Sequence, residues 1–461
     1  MKTELLGQEK NIVKIKVEFE PEEFQDGLRK ALSDLSQQAR IPGFRRGHIP
    51  RRILEMRLGR ETIYHEALDK MLPENIRKII EDYELDTIDT PSVNFGGFQE
   101  GQPVSCELTF EVMPEVELPN LEEVEVEQLK TVITDEMVDR LVRRFRKERA
   151  TTNSVERPVG NDDLVNLSLV VRVVGDNEPS EPQKTKIDLF EENVRQEIRS
   201  ALVGHTVGET VETEFDVESD HSDAQFAGKR LHYTMTIESI SEYILPELNE
   251  EFYKKAFSEE TDIHTEEAFR DRMREELHKT METENRTDAE RRAVTKVTLL
   301  SKVDVPDSLR DRQVQVLRER DEKDVRDRYG LELKDVLGKD NENWEKNYIE
   351  VQKVRAAGMV RQSLVMEAIG KKYDVNVDKK DVEAELARRA ALFQMDQGRL
   401  LNYLYKNENA MSRLIDDVRY GKITDELMTK IKVREVDELS PEQPIAPQEQ
   451  TEPNSQEGQG E

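Results

Sequence analysis

Apolar and polar residues alternate with a period of two where Val13, Ile15, Val17 and Phe19 are interleaved with Lys14, Lys16 and Glu18. That pattern predicts a strand with one face buried and one in water. Pro21 follows, and Phe24, Leu28, Leu32 and Leu35 then recur on one helical face. This predicts an amphipathic helix with proline in its first turn. After a break rich in glycine and proline, a second helical stretch is predicted from Pro50 to about Tyr83. Another alternating run, Val104, Cys106, Leu108, Phe110 and Val112, closes an α+β domain over residues 1–114.

Residues 115–157 read as a connector. Val124 and Val126 alternate with glutamates in a short extended segment. Thr134 is then placed to cap a helix with Asp135 and Glu136 in its first turn, where acids suit the helix dipole, and its stripe is Val138, Leu141, Val142 and Phe145. From 158 to 246 the pattern turns to β. Val165, Leu167, Leu169, Val171 and Val173 alternate, as do Val211, Thr213, Phe215 and Val217, and again Leu231, Tyr233, Met235 and Ile237. Between the first two runs, Glu191 to Val203 predicts one helix ended by Gly204. The result is a β-sheet-plus-helix module.

Residues 247–436 are almost wholly helical in pattern. Phe269, Met273, Leu277 and Met281 form one stripe, and Val382, Leu386, Ala390 and Phe393 another. Neither sustains a long heptad register, so bundled arms are expected rather than a rod-like coiled coil. The tail over 437–461 is rich in Pro, Gln, Glu and Gly, and disorder is expected there.

Composition sharpens the shape. Charged and hydrophobic residues each make up 36% of 461 residues, and aromatics only 6%. So much mixed charge on long periodic segments implies a multidomain protein, elongated overall, with helices exposed on several sides. Cys106 is the single cysteine, which excludes an intrachain disulfide and suits a reducing compartment. Residues 1–20 contain no apolar leader core, and no run of ~18 apolar residues occurs. A cytoplasmic protein with no membrane partner is expected.

Charge also singles out one segment. The formal net charge is -30, yet from Arg40 to Arg60 there are seven arginines, with Glu55 the only acid. The core of this run is Ile41-Pro42-Gly43-Phe44-Arg45-Arg46-Gly47-His48-Ile49-Pro50. Arginine forks pair bidentately with phosphate or carboxylate oxygens. Gly43 and Gly47 permit a tight turn, while Pro42 and Pro50 limit its freedom. Phe44 has two readings: an apolar tip that inserts or stacks on a partner, or a side chain tucked into its own core.

The order of these pieces, with Gly43 to Pro50, resembles the trigger factor family of ribosome-associated bacterial chaperones. Gly-Phe-Arg, a second basic residue, Gly and a final Pro recur in that family's docking signature; His48 stands where a basic residue is usual. Pro114-Glu115-Val116-Glu117-Leu118, Leu245-Pro246-Glu247-Leu248 and Val303-Asp304-Val305-Pro306 match in the same order. The resemblance implies an ATP-independent chaperone that meets nascent or unfolded polypeptides at the ribosomal exit tunnel. Its docking residues would be Gly43, Phe44, Arg45, Arg46, Gly47, His48, Ile49 and Pro50, against an exit-tunnel protein and rRNA. A homodimer of the free protein, a role in export and prolyl isomerase activity are implied as well.

By the same resemblance, 158–246 is similar to an FKBP-type prolyl isomerase domain. Such a domain lowers the ~18–20 kcal/mol barrier of the amide through pocket shape and electrostatics alone. The family's Asp-Phe-x-Gly strand corresponds here to Ser168-Leu169-Val170-Val171, and its aromatic helix entry to Arg195-Gln196-Glu197-Ile198-Arg199. Gly204-His205 and Gly208-Glu209 survive, as does Tyr233. A degenerate pocket around Ser168, Leu169, Ile198 and Tyr233 is therefore expected, with no confident catalytic residue and weak or absent activity. The alternative is an isomerase whose helical arms only recruit substrate.

Other chemistry finds little support. The seven histidines include no pair at i,i+4, and one cysteine supplies no CxxC, so ordinary surface histidines are favoured and no metal is expected. There is no Walker loop, GxGxxG or GxSxG, and no cofactor is expected. A general RNA-binding protein is disfavoured by the net charge. Apolar residues of the helical region, including Met273, Met281, Met359, Met366 and Met395, suit either packing between arms or adaptable contact with unfolded chains.

Overall fold

The computed structural model describes residues 1–42, 44–95, 104–175, 180–218, 226, 228–256, 263–338 and 343–441. Contacts divide the chain into two compact units, 1–130 with 286–461, and 131–285.

In the first unit, β1 (Lys2–Glu9), β2 (Ile12–Phe19), α1 (Pro21–Gln38), α2 (Arg51–Leu58), α3 (Arg60–Asp82), β3 (Ser92–Phe95) and β4 (Val104–Glu111) follow in order. The strands form an antiparallel sheet ordered β1-β2-β4-β3. The alternation in β2 and β4 puts Val13, Ile15, Val17, Cys106, Leu108 and Phe110 on one face, where they bury against Phe24, Leu28, Leu68 and Leu72 of the helices. Burial lifts the Cys106 thiol to about 11, so it is a small core residue and not a nucleophile. The single helical stretch expected from Pro50 to Tyr83 is two helices. Gly59, at φ 86°, breaks it by adopting a conformation other residues avoid. Strand β1, which lacks a clean alternation, was not expected.

Beyond it, β5 (Glu125–Leu129) pairs in parallel with β11 (Lys432–Val436). The region expected to be helical up to 436 therefore ends in a strand, whose partner lies some three hundred residues earlier and is invisible to local pattern.

The second unit begins with α4 (Asp135–Lys147), capped by the Thr134 hydroxyl, which accepts from the Met137 amide. Then come β6 (Thr151–Val155), β7 (Leu164–Val173), β8 (Gln183–Asp188), α5 (Gln196–Leu202), β9 (Thr210–Asp216) and β10 (Arg230–Ile244). One edge of β10 pairs with β7; the other pairs with β9 over its first half and with β6 over its second. The polar run Thr151-Thr152-Asn153-Ser154 gave no sign that it would extend this sheet. Helix α5 is shorter than the expected Glu191–Val203. Arg199 donates to the carbonyls of Asn161, Leu189 and Glu191, which holds the preceding residues in a turn.

The remaining elements are α6 (Glu250–Ala256), α7 (Glu266–Leu300), α8 (Asp307–Tyr329), α9 (Leu333–Leu337), α10 (Trp344–Lys372), α11 (Lys379–Leu392), α12 (Gln397–Lys406) and α13 (Glu408–Lys430). Phe269 and Met273 of α7 pack with Val138, Val142, Phe252 and Tyr253 in the second unit. Ala293, Val294 and Val297 pack with Val365, Ile369, Ile423 and Leu427 in the first. A smaller core joins Leu386, Ala390, Leu400, Leu404 and Leu414. Phe393, expected in the α11 stripe, instead follows the helix as its exposed C-cap. Gly43 and most of the expected tail, from residue 442, lie outside the described residues.

Candidate functional site

The basic loop spans the gap between α1 and α2, and its shape is set from beneath. The Gly47 amide donates to the Ser36 carbonyl at 2.8 Å, and the Ile49 amide donates to the Ser36 hydroxyl at 3.1 Å. Ser36 is only 5% exposed, so this is a buried anchor at the end of α1. Gly47 turns the chain at φ 78°, where a side chain is strained. The His48 amide donates to the Arg45 carbonyl at 3.0 Å, closing the tip. Pro50 then caps α2, its carbonyl receiving the Ile53 and Leu54 amides. Ser36 was missed in the sequence; a serine in a helical stripe carries no distinguishing signal.

What the loop presents follows from that anchor. Phe44 is 41% exposed, so it is not tucked into its own core. Arg45, Arg46, Gly47, His48 and Pro50 are exposed beside it. Ile49 is turned inward, 7% exposed, and packs in the sheet–helix core. It fastens the loop rather than facing a partner. Arg51 and Arg60 both approach Glu55, at 2.6 and 3.5 Å. Arg45, Arg46, Arg52 and Arg57 are exposed and form no ion pair among the described residues. Met56, 72% exposed, lies among them. The surface is thus an array of available guanidinium groups around two apolar side chains, suited to a partner with phosphates or carboxylates and an apolar recess.

The β module separates the residues expected at its pocket. Leu169, opposite Met235, and Tyr233, opposite Val171, share one sheet face, and they and Ile198 of α5 pack against the same buried cluster. Ser168 pairs with Thr236 and so belongs to the other face. It is not part of the pocket, because neighbouring strand residues point to opposite sides. Phe215, which pattern placed only as a strand residue, meets the Tyr233 ring edge-on at 4.8 Å. The Arg195 guanidinium lies 4.7 Å over Phe215 and donates to the Asp216 carbonyl. Burial raises the Tyr233 hydroxyl above its usual range, partly opposed by Arg195. This face therefore carries an aromatic pair together with the aliphatic Leu169 and Ile198.

Among the described residues the helical region exposes apolar groups in several places, Val316, Val351 and Val354 among them. Tyr329, Leu331, Val336 and Leu337 do so around α9, and Leu392, Phe393, Met395, Tyr403 and Tyr405 around α12. Clefts of about 520 and 610 Å³ flank a bridge in which the Gln362 amide donates to the Tyr420 hydroxyl. Met359 and Met366 line the first cleft. Met359 and Met395 are exposed while Met273 and Met366 are buried, so the methionines divide between contact and core. Among the described residues, no group of His, Cys, Asp or Glu is placed to hold a metal ion, and no helix is long and apolar enough to cross a membrane.

A sheet-and-helix domain carrying a basic loop, a β-sheet-plus-helix module and a long helical region define a multidomain α+β protein. A family model described as bacterial trigger factor protein matches residues 1–145, and one described as its C-terminus matches 265–429. The chain belongs to the bacterial trigger factor family, a family of chaperones. The trigger factor of Halothermothrix orenii is 28% identical over 383 residues, covering 82% of this chain and 87% of that protein. That of Thermoanaerobacter pseudethanolicus is 28% identical over 438 residues, covering 92% and 97%. A solved trigger factor chaperone, studied for promiscuous substrate recognition in folding and assembly, has the same fold. Its TM-score is 0.56 at 21% identity, over 93% of this chain and 100% of that one.

Proposed function

We propose that this chain is a cytoplasmic, ATP-independent chaperone that docks beside the ribosomal exit tunnel through residues 43–50. There it shelters nascent or unfolded polypeptides on its helical domain. The observation that carries this reading is the outward Phe44 near four exposed arginines that form no ion pair among the described residues, in a chain of net charge -30. The body is repelled from a polyanion and the loop is drawn to it, which orients the molecule as it docks. The exit-tunnel protein would receive Phe44 and the rRNA the guanidinium groups. The division of labour follows: residues 1–114 dock, 115–157 connect, 158–246 form an isomerase-like module, and 247–436 provide the arms. Co-sedimentation with ribosomes tests it. Wild type pellets and the Phe44→Ala/Arg45→Ala variant stays in the supernatant; equal pelleting would overturn the docking assignment.

A second reading, prolyl isomerisation as the main activity, is favoured by the Tyr233–Phe215 pair. The aliphatic Leu169 and Ile198, which pack against the same cluster as Tyr233, weigh the other way, so the activity is weak or absent. Proline-limited refolding of a model substrate, catalysed by the full chain, decides between them. A rate at background supports the chaperone reading, and a strong acceleration abolished by Tyr233→Ala supports the isomerase.

A further inference from the structure

Met56 is the most exposed large apolar side chain among the described residues, at 72%. It lies one turn after Arg52 on α2, so the two are neighbours on one helix face, and both stand in water. Leu54, the inward residue of that helix, is buried, so the fold holds α2 by Leu54 and not by Met56. Arg52 forms no ion pair among the described residues. An exposed thioether beside an available guanidinium is thus set into the surface proposed to meet the ribosome.

We propose that Met56 is a site of reversible oxidation by hydrogen peroxide that weakens ribosome docking. The inference rests on the docking reading and adds its regulation. A lone pair on the Met56 sulfur attacks one peroxide oxygen, and the O–O bond breaks as the S–O bond forms. The proton of the hydroxyl now on sulfur passes to the departing hydroxide, which leaves as water. Sulfur loses the two electrons that the peroxide gains, and the product is the sulfoxide. A methionine sulfoxide reductase working with a dithiol reverses the step, giving thioether, water and disulfide.

Exposure selects this methionine. Met235, Met273 and Met366 are buried, out of reach of an oxidant in water. Met359 and Met395 are each 43% exposed. The Met359 sulfur also accepts from the Gln313 side-chain amide at 3.7 Å, which engages a lone pair that the reaction needs. The consequence is local. Oxidation turns a flexible apolar side chain into a polar one whose new oxygen is a hydrogen-bond acceptor. Guanidinium groups are the donors at hand on α2, Arg52 one turn before and Arg57 next in the chain. The sulfoxide therefore removes an apolar contact and also draws a guanidinium away from a partner's phosphate.

Peptide mass spectrometry of the full chain, treated with graded hydrogen peroxide and then freed of it, reads the site directly. Met56 is expected to gain oxygen at the lowest dose, ahead of Met359 and Met395. The denaturation midpoint should not move at that dose, because so exposed a side chain packs little. Ribosome affinity is then measured by co-sedimentation for each protein before and after the same treatment, with untreated ribosomes. Wild type is expected to bind about tenfold more weakly afterwards, and the reductase to restore it. In Met56→Leu the two affinities should agree within about twofold, whatever the first of them is. Met359→Leu/Met395→Leu should lose as much as wild type. Met56 oxidised no sooner than the other two, an oxidised wild type that binds as before, or an equal loss in Met56→Leu would overturn the proposal and leave docking standing. Untreated wild type that does not pellet would overturn docking, and this inference with it.

Discussion

The Ser36 hydroxyl lies 3.1 Å from the Ile49 amide while the Ser36 carbonyl takes the Gly47 amide, so one buried residue holds both flanks of the loop tip. Ser36→Ala removes the acceptor and leaves a buried donor unsatisfied, at a cost of about 1–3 kcal/mol. A lower denaturation midpoint together with weaker ribosome pelleting is expected, whereas Phe44→Ala should weaken pelleting with little change in midpoint. A second residue-scale prediction concerns acid. Arg388, and then Arg389, hold the Glu385 carboxyl at about 2, against 4.5 for a free glutamate. A depressed carboxylate stabilises the fold above its unfolded pKa, and that stability is lost as pH falls through the folded one. Its share should therefore vanish between about pH 4.5 and 2, and Glu385→Gln should remove it at neutral pH. Urea titrations of both proteins across that range check this; parallel acid limbs would contradict it.

Among elements, the core formed by α4, α6 and the first turns of α7 depends on Phe269, fully buried and stacked on Tyr253 at 5.1 Å. Phe269→Ala should cost about 3–5 kcal/mol, read as a lower melting temperature for the second unit. The Phe269 stripe was legible because helical spacing and burial agree over consecutive turns. The β6 and β11 strands were not, since Thr151–Val155 is polar and Lys432–Val436 finds its partner only through the fold. Likewise, alternation placed Leu169 and Tyr233 in strands, but which face each shares with Ile198 depended on register. Ser168 was assigned to the pocket by position in the chain, and the pairing with Thr236 sends it to the other side.

At the scale of the molecule, a strongly acidic chain keeps Arg45, Arg46, Arg52 and Arg57 out of ion pairs among the described residues. Elsewhere arginines are spent internally, as in Arg157 with Asp163 and Glu242, or Arg286 with Glu290 and Asp425. If Arg45, Arg46, Arg52 and Arg57 each meet a phosphate, raising salt from 50 to 200 mM should weaken ribosome binding roughly 50- to 150-fold. Affinity measured at both salts tests this, and a change of less than about threefold would contradict phosphate contact.

By itself, the sequence determined the α+β character of the first domain, the long helices, the basic loop and its family. These rest on periodicity, composition and short motifs, each expressed over neighbouring residues. Only the tertiary structure decided that Phe44 points outward and Ile49 inward, that Ser36 anchors both, and that Met56 is left in water. Those outcomes depend on which distant groups compete for the same space and the same hydrogen bonds, and local sequence carries no record of that competition.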